Sequence, residues 1–91
     1  MSTYFDKYGY LIGFFLGYLE ILESNQDILN YFQKNPDEIP ICIDEISKLI
    51  NDDLLDWKIF TDEANIYFQS ETDFINFFNW LKTELNKITL E

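Results

Sequence analysis

The sequence predicts one α+β domain over residues 1–91: mostly helical, with three to four helices and a β-hairpin before the C-terminal helix. Three observations favour this fold class. Apolar residues make up 47% of the chain and aromatic residues 19%, which is typical of a folded protein. Most apolar residues recur at helical spacing, but the period changes to two for a short stretch after residue 54. No repeat, linker or low-complexity tract divides the chain, so a single domain is expected.

The first predicted helix is an uncharged apolar run from Tyr8 to Leu19. The run also alternates as a strand would, but the helical pattern of the residues that follow favours a helix. It is shorter than the roughly 20 residues of a membrane span and has no signal-peptide pattern, so we expect a buried helix and no membrane association. Gly9, Gly13 and Gly17 share one face. We expect this face to seat another helix of the same domain, with a self-association groove as the alternative.

Two further helices follow in the predicted order. Ser24 with Asp27 is typical of a helix start, and the pair Asn35-Pro36 indicates the end of that helix. Pro40 favours the start of the next one. Its apolar positions have three- and four-residue spacing and comprise Cys42, Ile43, Ile46, Leu49, Ile50 and Leu54.

The change of period predicts the β-hairpin. Leu55, Trp57 and Ile59 alternate with polar residues, as in a half-buried strand. Residues 61–65 resemble a turn, and residues 66–68 then form the returning strand.

The C-terminal helix has the clearest pattern. Ser70 with Asp73 resembles a capping box. The apolar stripe comprises Phe74, Phe77, Phe78, Leu81, Leu85 and Ile88. Trp80 lies off this stripe, which suits either packing within the domain or an aromatic contact with a partner.

The charge inventory excludes most catalytic chemistry. Seventeen Asp and Glu residues stand against six Lys, with no Arg and no His, for a net charge of −11. A His/Cys zinc site or a Ser-His or Cys-His nucleophile pair cannot be assembled within one chain, and no calcium-loop pattern is present. We therefore expect no enzyme activity, no metal and no cofactor. Cys42 is the only cysteine, so no internal disulfide forms and the chain suits the cytoplasm.

The same charge predicts a basic protein as partner rather than nucleic acid, because six scattered lysines do not form a phosphate-binding surface. The span 44–63 carries seven carboxylates against two lysines, a local net charge of −5. We expect its carboxylates to contact the partner, with Trp80 as an aromatic anchor; they are Asp52, Asp53, Asp56, Asp62 and Glu63. Replacing the first three by Asn is expected to leave the fold intact.

In size and charge the chain resembles the small acidic immunity proteins that bacteria make against nuclease toxins. No motif carries the resemblance, so it implies a function but no residue roles. It implies an inhibitor that neutralises a nuclease or another nucleic-acid enzyme. Two alternatives remain open: a phage-type nucleic-acid mimic that inhibits a restriction or CRISPR enzyme, and a small adaptor or structural subunit that is stable as a homodimer or larger oligomer.

Overall fold

A computed structural model describes residues 3–18 and 24–90 of the chain. Within these two ranges the fold is helical and contains no strand. A short 3-10 turn, Pro36–Glu38, joins the third and fourth helices. The described part of the chain contains six α-helices: α1 (Thr3–Lys7), α2 (Gly9–Tyr18), α3 (Asn25–Lys34), α4 (Ile39–Ile50), α5 (Trp57–Ala64) and α6 (Glu71–Leu90).

The predicted starts of α3, α4 and α6 and the predicted end of α3 are confirmed. The Ser24 hydroxyl accepts the backbone N–H of Asp27 at 3.3 Å, and the Ser70 hydroxyl accepts that of Asp73 at 3.1 Å. α3 ends at Lys34, before the Asn35-Pro36 pair, and α4 has a proline in its first turn. Each boundary therefore follows from local chemistry that the sequence shows directly.

The predicted β-hairpin is wrong, and with it the α+β class. The Asp56 carboxylate accepts the backbone N–H groups of Lys58 and Ile59, which caps a helix at the point where a strand was expected. Asn65 ends this helix in the left-handed conformation, with φ 56°. The short alternation of apolar and polar residues also fits the start of a helix whose buried side contains Phe60 and Ala64.

The predicted N-terminal helix, Tyr8 to Leu19, corresponds to α2; Tyr8 lies between α1 and α2, and Leu19 lies outside the described part of the chain. The expectation that its glycines seat another helix is wrong. A Cβ built on Gly9, Gly13 or Gly17 meets nothing beyond its own stretch of helix within 4 Å, so the described residues leave this face of α2 uncovered. None of the described helices has both the length and the apolar character needed to cross a bilayer.

Aromatic rings from three parts of the chain form the centre of the core. The buried ring of Phe60 on α5 lies 5.9 Å from that of Tyr8, 5.7 Å from that of Phe74 and 6.0 Å from that of Phe78, mostly edge to face. Leu54 was expected among the core residues of α4. Because α4 ends at Ile50, Leu54 instead lies in the following turn and is 92% exposed.

Candidate functional site

Three carboxylates that follow one another at seven-residue intervals face the N-terminal helices. They are Glu38, Glu45 and Asp52, at the start, middle and end of the α4 region. An interval of seven residues is close to two helical turns, so the three groups lie on one side of the α4 region. The Glu38 carboxylate accepts hydrogen bonds from the hydroxyls of Tyr10 and Tyr31, both at 2.8 Å. We call Glu38, Glu45 and Asp52 the carboxylate row.

The middle member of the carboxylate row caps α2. The Glu45 carboxylate accepts the backbone N–H of Tyr10 at 3.2 Å and that of Leu11 at 3.1 Å. Both N–H groups belong to the first turn of α2, where helices have no internal acceptors and carry a partial positive charge. Since the uncharged run offers no capping side chain of its own, a carboxylate from another helix supplies the cap.

The last member of the row, Asp52, has the most contacts. Its Oδ2 accepts from Lys7 Nζ and from the Tyr8 hydroxyl, both at 2.8 Å, and its Oδ1 accepts from the backbone N–H of Leu54 at 3.1 Å. The bonds from Lys7 and Tyr8 lower the pKa of Asp52, and burial together with Asp52 raises the pKa of Tyr8. The side chain of Asp52 is only 10% exposed. Asp52 therefore holds the fold together at this point instead of facing solvent.

Three other predicted contact residues are exposed. Asp53 lies in the turn after α4, and Asp62 lies on the outer face of α5. Neither carboxylate takes part in a hydrogen bond or ion pair with the described residues. Asp56 is exposed as well, but its carboxylate caps α5 and its N–H donates to the Tyr4 hydroxyl at 2.8 Å. Replacing Asp52 and Asp56 is therefore expected to cost stability, contrary to the sequence-based expectation.

The remaining two predicted residues lie in different surroundings. Glu63, on α5, is half-buried, and its Oε2 is enclosed with no hydrogen-bond partner among the described residues. Trp80, on α6, is half-buried with its ring 5.9 Å from that of Phe77. Both side chains thus contribute to packing, and neither is as accessible to a partner as Asp53 or Asp62.

Two apolar side chains are exposed among the carboxylates of the turn and α5. Leu54 directly follows Asp53, and Ile59, which is 50% exposed, lies one helical turn after Asp56 and one turn before Asp62. We call these five residues the acidic docking surface. The sequence did not point to Leu54 and Ile59, because the helical and strand patterns assigned both to the core. The signal that could have identified them was Asp56. Aspartate is a preferred N-cap residue, so a new helix can start there and interrupt the predicted strand.

Metal binding and nucleophilic chemistry depend on the clustering of acidic side chains and on Cys42, the only cysteine of the chain. No group of three or more His, Cys, Asp or Glu side chains in residues 3–18 and 24–90 is arranged to hold a metal ion. Cys42 is buried, and its burial, together with Glu45 and Glu38, raises the pKa of its thiol to about 12. Its thiol therefore stays protonated at neutral pH and is a poor nucleophile.

No protein-family model, curated protein or solved structure matches this chain. The function proposed below therefore rests on the chemistry of its own residues.

Proposed function

We propose that this protein is an acidic inhibitor that binds and blocks a basic protein, and specifically an immunity protein that neutralises a nuclease toxin in the cytoplasm. The observation that supports this proposal best is the acidic docking surface. Its three carboxylates, those of Asp53, Asp56 and Asp62, are exposed and form no ion pair among the described residues. The nearest lysine in sequence, Lys58, has its ammonium 5.9 Å from the ring centroid of Trp57.

The mechanism follows from the charge of the two partners. A nuclease binds the phosphate backbone through a basic groove, and the carboxylates of the acidic docking surface can occupy that groove in place of phosphates. The net charge of −11 attracts the basic partner over distances near the Debye length, about 8 Å at physiological ionic strength. Electrostatic attraction of this kind raises association rates by about 10- to 1,000-fold. Inhibition is then fast and competes directly with the nucleic acid.

The carboxylate row narrows the set of residues that can contact a partner, because its own carboxylates are used in contacts within the fold. Glu38, Glu45 and Asp52 hold the N-terminal helices, and Asp44 forms an ion pair with Lys48 at 3.1 Å. These groups contribute to the long-range field of the molecule but are already occupied by internal contacts. Direct contact with a partner is therefore assigned to Asp53 and Asp62.

The test is inhibition of basic nuclease toxin domains, measured as loss of cleavage of a fluorescent RNA or DNA substrate. We expect inhibition by the wild-type chain at a stoichiometry near one. The double variant Asp53→Asn/Asp62→Asn should associate about three- to tenfold more slowly, with little change in dissociation. The matched control is Asp6→Asn/Asp37→Asn, which removes the same charge from two exposed carboxylates outside the acidic docking surface.

Three results would contradict the proposal. The first is the absence of inhibition of any basic nuclease; inhibition of a restriction or CRISPR enzyme instead would favour the nucleic-acid-mimic alternative. The second is an equal effect of the two double variants, which would mean that only total charge matters. The third is retention of DNA or RNA by the chain itself at about 100 mM salt, since an acidic inhibitor has no means of releasing phosphate counterions.

The uncovered face of α2 keeps the oligomeric alternative open. Gly13, Leu16 and Gly17 are exposed, and α2 contains no charged residue, so a second copy meets no like charge on this helix. Light scattering over a range of protein and salt concentrations separates the two functions. A dimer that strengthens with salt, as repulsion between two −11 chains is screened, would favour a structural subunit. A monomer at every concentration would exclude it.

A further inference from the structure

Two of the five residues of the acidic docking surface are apolar and exposed to solvent. Leu54 is 92% exposed and Ile59 is 50% exposed. Single exposed apolar residues are common on protein surfaces and need no explanation. Here two of them lie within one short segment, and each has a carboxylate next to it in the chain or one helical turn away.

Leu54 is held in place by hydrogen bonds on both sides of it. Its own N–H donates to Asp52 Oδ1 at 3.1 Å, and the N–H of Leu55 donates to the Asp52 carbonyl at 3.2 Å. Asp52 is in turn fixed by Lys7 and Tyr8. The leucine therefore lies on a turn with a defined shape, and ordering it on binding has a small entropic cost.

The two apolar residues are close enough for a single contact. Leu54 lies two residues before the N-cap of α5, and Ile59 lies within the first turn, so their Cα atoms are at most about 13 Å apart. A typical interface has an apolar centre and a polar rim, and apolar side chains near its centre carry most of the binding free energy. Leu54 and Ile59 alternate along the chain with the exposed Asp53, Asp56 and Asp62, and this order suits such an arrangement.

We propose that Leu54 and Ile59 are the apolar anchors of the acidic docking surface, and that this surface fits a basic protein with an apolar pocket bordered by Lys or Arg side chains. This inference rests on the proposed function. The occupant follows from charge complementarity: the exposed carboxylates around the two apolar side chains require a cationic rim on the partner. The carboxylates set the association rate, and the apolar anchors slow dissociation.

The experiment uses the full chain and two helical peptides of equal positive charge. The first peptide carries Lys on one face and Leu on the other, and the second has Gln in place of every Leu. Binding is followed by NMR chemical shifts of the ¹⁵N-labelled protein. We expect the shifts caused by the Leu peptide to be largest in residues 53–62. Leu54→Ser/Ile59→Ser should raise the Kd for the Leu peptide about tenfold or more, as expected for lost burial of two apolar side chains. It should change the Kd for the Gln peptide less than about twofold.

Two controls make the result specific. Leu54→Ser alone cannot disturb the core, because the side chain is almost fully exposed, and a thermal melt checks that the double variant is folded. Tyr67→Ser removes a different exposed side chain, which is 82% exposed and lies outside the acidic docking surface, and should leave both Kd values unchanged. Shifts centred on α2 or spread evenly over the chain would contradict the inference, as would an equal loss of binding to both peptides.

The role of the apolar anchors and the immunity function can be refuted separately. If the peptides bind elsewhere while nuclease inhibition still depends on Asp53 and Asp62, only the apolar anchors are refuted. If the peptide shifts lie in residues 53–62 but no basic nuclease is inhibited, the surface is retained and the immunity function is refuted.

Discussion

Asp52→Asn tests the structural role of the carboxylate row most directly. The substitution keeps the size of the side chain but removes its negative charge. In the wild-type chain the carboxylate accepts two hydrogen bonds at 2.8 Å, from Lys7 and Tyr8, and a third from the backbone of Leu54 at 3.1 Å. An asparagine has one acceptor oxygen, so at least one donor loses its partner and the ion pair is lost.

The expected loss of stability is about 2 kcal/mol. A hydrogen bond to a charged group is worth about 1.5–3 kcal/mol when its partner is shielded, as the 10% exposed Asp52 side chain is. The contribution of Lys7 is smaller, because its side chain is 54% exposed and exposed ion pairs are worth about 0–1 kcal/mol. For a chain of this size, 2 kcal/mol corresponds to a decrease in Tm of roughly 10 °C.

The assay is urea denaturation of wild type and variant at pH 7 and again near pH 2. Asp52 has a lowered pKa in the folded state, so its contribution is complete above the ordinary Asp pKa of about 3.9 and is lost as pH falls through the folded value. The difference between the two proteins should therefore be largest at pH 7 and shrink in acid. Tyr8→Phe, which removes only the hydroxyl, should be coupled to Asp52→Asn by about 1 kcal/mol in a double-mutant cycle.

Asp53→Asn is the matched control, because the Asp53 carboxylate is next to Asp52 in the chain but is exposed and has no hydrogen bond to the described residues. It should change stability by less than about 0.5 kcal/mol. The structural role of the Asp52 carboxylate is refuted if the two variants are equally stable at pH 7. It is also refuted if the effect of Asp52→Asn is the same at both pH values, because the carboxylate charge would then play no part.

The remaining predictions concern three other features. Gly13→Ala should stabilise a monomeric chain by about 0.5–1 kcal/mol, since its Cβ meets no described atom within 4 Å and alanine favours the helix; a destabilised variant in a thermal melt would mean that this face is covered. Alkylation of Cys42 at pH 8 should be at least about a hundredfold slower in the folded protein than in urea, because the thiol is buried with its pKa raised to about 12; equal rates would contradict the buried position. Association with a basic partner should slow steeply as salt rises, and stopped-flow rates that stay constant would exclude electrostatic attraction as the driving term.

Local chemistry made several elements predictable. Ser24, Ser70 and Pro40 indicate helix starts through short-range effects, and all three predictions are confirmed. The apolar stripe of α6 was equally clear, because the buried positions Phe74, Phe78, Leu81 and Leu85 repeat at the period of the helix itself. The error at α5 has a local cause as well. A stretch of five alternating residues is too short to distinguish a strand from the first turn of a helix, and Asp56 decides between them through its bonds to the backbone.

Sequence alone determined the acidity of the protein, the type and approximate limits of most helices, and the absence of residues for a His/Cys zinc site or His-based catalysis. Tertiary structure decided which carboxylates remain for a partner. Glu38, Glu45 and Asp52 resemble Asp53 and Asp62 in the sequence, yet the first three bind groups 28 to 45 residues away in the chain, and the last two face solvent. Such pairings depend on how α1 and α2 lie against α4. The position of a carboxylate in the sequence does not show which group it binds. Only the folded arrangement therefore separates structural carboxylates from those that can bind a partner.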